Sequence, residues 1–77
     1  MATAKITPNA STWTQVSDGT SLKTLQVTHG SVYLCDSPSA PTGNNAHIIY
    51  QGNMVVLTPP TVGWVKAINS DATVIVS

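Results

Sequence analysis

The sequence predicts an all-β fold: a small antiparallel β-sandwich or partly open barrel of about seven to eight short strands. Three observations predict it. Thr and Val supply eleven and nine of the 77 residues, and both are stiff at χ1 and suit a half-buried pleated surface better than a helix. Short runs of β-branched and apolar residues are separated by turn dipeptides along the whole chain, the pattern of many short strands. Nowhere does a 3.6-residue apolar period last long enough for a helix. At this length the chain is one domain with a thin core, burying only about 60% of its unfolded surface.

Seven runs read as strands, and residues 4–7 offer an eighth. Residues 12–16 alternate, with Trp13 and Gln15 on one face and Thr14 and Val16 on the other, before Asp18-Gly19 supplies a turn able to reach positive φ. Leu25 and Val27 share a face of residues 22–28. The tight His29-Gly30 turn then predicts an antiparallel hairpin with residues 31–36, with Val32 and Leu34 pointing to the core and Tyr33 and Cys35 away from it. Residues 37–46 form one long, irregular but ordered loop, in which Pro38 and Pro41 fix φ and Gly43, Asn44 and Asn45 tolerate left-handed backbone. Strands at 47–51 and 54–58 flank a Gly52-Asn53 turn, and Pro59-Pro60 is a stiff break. A strand at 64–69, an Asn69-Ser70-Asp71 turn and a closing strand at 72–77 complete the chain. The organisation is an N-terminal arm or first edge strand over residues 1–11 and a single β-domain over residues 12–77. With no Phe present, one or both of Trp13 and Trp64 are expected to plug the core.

Charge excludes several classes of partner. Three Lys and three Asp, with no Arg or Glu, give a net charge of zero. Nucleic-acid binding by counterion release needs clustered cations, and Lys5, Lys23 and Lys66 stand apart. An anionic membrane surface is excluded on the same ground. The first residues lack an apolar signal core and no run approaches 18 apolar residues, so assembly in a cytosol is expected. The single Cys35 cannot form an intramolecular disulfide. A thin core without staples favours a homo-oligomer. The uncharged closing strand, residues 72–77, is expected to be paired or covered by another chain, because exposed it would aggregate.

Little in the chain points to chemistry. A Cys35–His47 nucleophile pair is conceivable, but Cys35 sits mid-strand beside Leu34 and reads as a small buried hydrophobe. His29, Cys35, Asp36 and His47 have no zinc-motif spacing. Asp18 and Asp71 read as turn formers, and no phosphate loop or nucleophile elbow is present. The expectation is a non-enzymatic protein with no catalytic residue, no metal and no cofactor.

The runs Trp13-Thr14-Gln15-Val16-Ser17-Asp18-Gly19-Thr20, Gly30-Ser31-Val32-Tyr33-Leu34-Cys35-Asp36-Ser37-Pro38-Ser39-Ala40-Pro41, Gly52-Asn53-Met54-Val55-Val56-Leu57 and Gly63-Trp64-Val65-Lys66-Ala67, with the 72–77 ending, carry a resemblance. Over residues 12–77 the chain resembles small β-domain virion proteins of tailed bacteriophages, in which a strand pair, a Pro/Ala-rich loop and a Gly-turn strand lead to a short final hairpin. The resemblance implies a capsid decoration (cement) protein, a head-fibre base or a small tail component, located in the virion and assembled in the host bacterial cytoplasm. The expected partners are a second copy of the chain, as a trimer, and the major capsid protein or another virion protein. Ala2, Thr3, Ala4, Lys5, Ile6, Thr7, Pro8 and Asn9 are the expected contact segment, whose loss should leave the fold intact. The alternative is a receptor- or carbohydrate-binding module of a tail or fibre, with Tyr50 or Trp64 exposed in a concave site as a stacking ring.

Overall fold

Eight strands form, in the order β1 (Ala4–Ile6), β2 (Thr14–Gln15), β3 (Lys23–His29), β4 (Val32–Asp36), β5 (His47–Ile49), β6 (Met54–Leu57), β7 (Gly63–Ala67) and β8 (Thr73–Val76). The structure is a computed structural model describing residues 3–43, 45–69 and 71–77. Ala2 of the expected contact segment, Asn44 of the long loop and Ser70 of the last turn lie outside the described residues. Two four-stranded antiparallel sheets result, sheet A in the order β1-β8-β3-β6 and sheet B in the order β2-β7-β4-β5. The fold is therefore a β-sandwich.

The period-2 alternation is what builds the core. Leu25 and Val27 of β3 and Val74 of β8 face Val32 of β4 and Val65 of β7 across the gap, and all five are fully buried. Val16, Leu34, Leu57, Ala67, Ala72 and Val76 complete this cluster, with Ile6, Ile49 and Val55 packed against it. Each large aliphatic side chain removed from water contributes about 1.5–3 kcal/mol. The expected inward Val32 and Leu34 and outward Tyr33 and Cys35 are as observed. Gly19, Gly30 and Gly52 all turn at positive φ, as the three turn dipeptides require.

Four expectations are corrected. Residues 22–28 and 31–36 do not pair as a hairpin, because β3 lies in sheet A and β4 in sheet B. The Gly30 turn arches across the sandwich, so that Leu25 and Val27 meet Val32 and Leu34 face to face. Alternation is identical for an arch and a hairpin, and only the partner strands decide. For the same reason β7 and β8 are not a final hairpin; β7 pairs with β2 and β4, and β8 with β1 and β3. The closing strand is not an edge awaiting another chain, since β1 and β3 cover it on both sides. Trp13 and Trp64 are not core plugs: the core is wholly aliphatic and both indoles are half-buried on the outside.

The N-terminal segment is likewise part of the domain. Ala4, Lys5 and Ile6 pair with Val76, Ile75 and Val74, Pro8 is buried, and the Asn9 carbonyl accepts the Ala67 N–H at 2.9 Å. It is the first edge strand of sheet A and not a detached arm.

Candidate functional site

The outer face of sheet B gathers most of the aromatic side chains. Alternation along β7 turns Val65 and Ala67 inward and leaves Trp64 and Lys66 outward, and the same alternation on β4 sends Tyr33 and Cys35 outward. Register then sets the rows: Gln15 beside Trp64 beside Cys35, and Lys66 beside Tyr33 beside Ile48. Trp13, one residue before β2, completes the second row. The Lys66 ammonium lies 4.9 Å from the centre of the Trp13 ring and 6.0 Å from that of Tyr33, within cation–π range of both. Trp64 is held differently: its Nε1–H donates to the Ser37 carbonyl at 2.8 Å, which fixes the indole plane against the start of the long loop.

That end of the sandwich is closed by a backbone network. Ser37 N–H donates to the Val62 carbonyl at 3.0 Å, and Asp36 Oδ1 accepts the Val62 N–H at 2.9 Å. Buried Ser17 donates its hydroxyl to the Thr61 carbonyl at 3.0 Å and accepts the Gly63 N–H at 2.7 Å. Asp18 acts as the turn former its position predicts, accepting the Thr20 hydroxyl at 2.7 Å and the Thr20 N–H at 3.0 Å. These two bonds, the hydroxyl one foremost, hold its carboxyl below the ordinary value of 3.8.

Tyr50 and Trp64 do not share a concave site. Trp64 sits on the outer face of sheet B, and Tyr50, 60% exposed, follows the end of β5. Neither lines any of four shallow hollows, the largest about 390 Å³. Cys35 is half-buried and outward, not a core hydrophobe. It lines one hollow with His47, yet His47 pairs with Leu34 on the inward side of the strand. Among the described residues no group of three or more His, Cys, Asp or Glu is gathered.

The role of Trp13, Tyr33 and Lys66 on this face escapes sequence reasoning. Lys66 reads as an isolated charge because the rings that flank it come from strands 53 and 33 residues away in the chain. The usable signal is the shared alternation of Trp64 with Lys66 and of Tyr33 with Cys35.

No family model matches the chain, and no curated protein matches it. Among solved structures, the crystal structure of protein NMB1881 from Neisseria meningitidis is similar, with a TM-score of 0.65 at 16% sequence identity, covering 96% of this chain and 69% of that one. At that identity the likeness speaks for the all-β sandwich fold alone.

Proposed function

We propose that this chain is a non-enzymatic structural protein of a phage virion, a capsid decoration protein that seats the outer face of sheet B on the major capsid protein. The observation that carries the reading is the outer face of sheet B, where Lys66 lies over Trp13 and Tyr33 and Trp64 stands on the same side. Aromatic side chains with few charges are what the centre of a protein interface uses, and the resemblance to small virion proteins supports a particle as the partner. The mechanism is burial of surface, with no bond made or broken. Contact then moves from the N-terminal segment, which is occupied in holding β8, to this face. A second reading, a glycan- or receptor-binding module of the tail, is favoured by the exposed ring of Tyr50.

The test is the copy number of the chain in purified particles relative to the major capsid protein, together with particle binding by the Trp13→Ala and Trp64→Ala proteins. Hundreds of copies and weakened binding by both variants support decoration. A dozen copies or fewer support the tail module, and absence from particles overturns both.

A further inference from the structure

The fourth position of each sheet is an edge, β6 in sheet A and β5 in sheet B. The four-residue link from 50 to 53 joins them, so one side of the sandwich is built from two open strands. Four of the five large exposed hydrophobics among the described residues lie there: Ile48 at 47%, Tyr50 at 60%, Met54 at 62% and Val56 at 57% exposed. Hydrogen bonding shows which backbone groups are open. Val27 N–H donates to the Asn53 carbonyl at 3.0 Å, and with Leu25 opposite Val55 and Lys23 opposite Leu57, alternation aims Val55 and Leu57 at β3. The exchange between Thr24 and Ser77, at 2.7 and 3.0 Å, places the complementary set on the other side of β3. The N–H and C=O groups of Met54 and Val56 therefore point out of the sheet, next to their own exposed side chains.

The opposite side of the sandwich is protected. There β1 carries Lys5 and is followed by buried Pro8, and β2 is two residues long, both ordinary ways of blunting an edge. No Lys, Arg, Asp or Glu occurs anywhere from residue 37 to 65, so β5 and β6 carry no charged guard, and Pro59 and Pro60 fall beyond the last residue of β6 and leave the backbone groups of Met54 and Val56 free to pair.

We infer that β6 pairs antiparallel with β6 of a second copy of this chain about a two-fold axis at Val55, joining two A sheets into one of eight strands. Met54 then lies opposite Val56 of the second copy and Val56 opposite its Met54, and each pair exchanges two backbone hydrogen bonds. The charge pattern selects a second copy as the occupant. An isologous joint sets one patch against a copy of itself, which an edge carrying charge of one sign resists and this uncharged one does not. Pairing β6 with β1 in a closed ring, as a trimer would, instead places Lys5 beside an apolar strand. Met54 and Val56, 62% and 57% exposed, lie side by side on the outer face of sheet A next to their open backbone groups, so the joint also covers apolar surface. The joint leaves the outer face of sheet B open, and it forms in buffer whether or not a particle is the eventual partner.

Sedimentation velocity over a wide concentration range tests it. The expected species is a dimer of twice the chain's 8.0 kDa. Val56→Lys places two like charges across the joint and weakens association by about 100-fold, since such juxtaposition costs several kcal/mol, while Gln15→Lys on the β2 edge leaves the dimer unchanged. Far-UV circular dichroism checks that each variant is folded, and Met54→Lys replaces Val56→Lys if the latter is not. A monomer at all concentrations, a trimer, or a dimer indifferent to both β6 variants overturns the pairing.

Discussion

Gly30 is the residue on which the arch between β3 and β4 turns. It sits at φ +72°, and a Cβ there would clash with the Asp71 carbonyl oxygen and come within 3.2 Å of the Ala72 Cα. Both the backbone conformation and the space are closed to a side chain. Gly30→Ala should cost about 2–4 kcal/mol, read as a lower urea midpoint at unchanged m-value. Ser17 is buried and satisfied twice, so Ser17→Ala strands the Gly63 N–H and the Thr61 carbonyl. The expected loss is about 1–3 kcal/mol, again by urea titration. Asp18 is exposed and its effect is one of direction. Its carboxyl is lowered by Thr20, so its contribution to stability is present above 3.8 and is lost as pH falls through the lowered folded value. Thr20→Val should return the Asp18 midpoint toward 3.8 in an NMR titration. Sequence and structure agree at Asp18 and Gly30 because turn chemistry is local: Asp-Gly and His-Gly announce positive φ without reference to the partner strand.

At the scale of elements, agreement depends on what decides the element. All eight strands are legible, the eighth at residues 4–7 included, because period-2 alternation and β-branched content belong to the run itself. Pairing is not legible. The closing strand looks hazardous in isolation and is an interior strand of sheet A, because β1 and β3 hydrogen-bond to it on either side; the unguarded edge is β6. The N-terminal segment therefore has a structural duty. Deleting residues 2–9 should lower stability by about 3 kcal/mol or more, through loss of Ile6 and Pro8 burial and of the β8 pairing, and should promote aggregation through the uncovered edge. A urea melt and light scattering check both, and a deletion that leaves the midpoint unchanged contradicts the integrated β1. The Trp pair misleads for a related reason: a core built from eight short strands is thin enough to fill with Val, Leu, Ile and Ala, so the largest rings are displaced to the outer face of sheet B.

For the whole molecule, the radius of gyration of 11.0 Å matches the roughly 11.5 Å expected of a compact domain of this length. Its connectivity is almost entirely non-local. β1 pairs with β8 from the other end of the described chain, and among sequence neighbours only β4 and β5 share a sheet. Loop closure must precede most pairings, so refolding is expected in the millisecond-to-second range and not in microseconds; stopped-flow Trp fluorescence measures it. The aromatic face depends on the same long-range pairing, since Trp13, Tyr33, Trp64 and Lys66 meet only when β2, β7 and β4 are side by side. By itself the sequence determined the all-β class, the strands, the turns and which residues point inward, because each follows from side-chain period, χ1 stiffness and backbone sterics within a few residues. The tertiary structure alone decided which strands are neighbours, and with that the sandwich, its open edge and its aromatic face. Arch and hairpin share one local pattern, and only burial summed over both sheets distinguishes them.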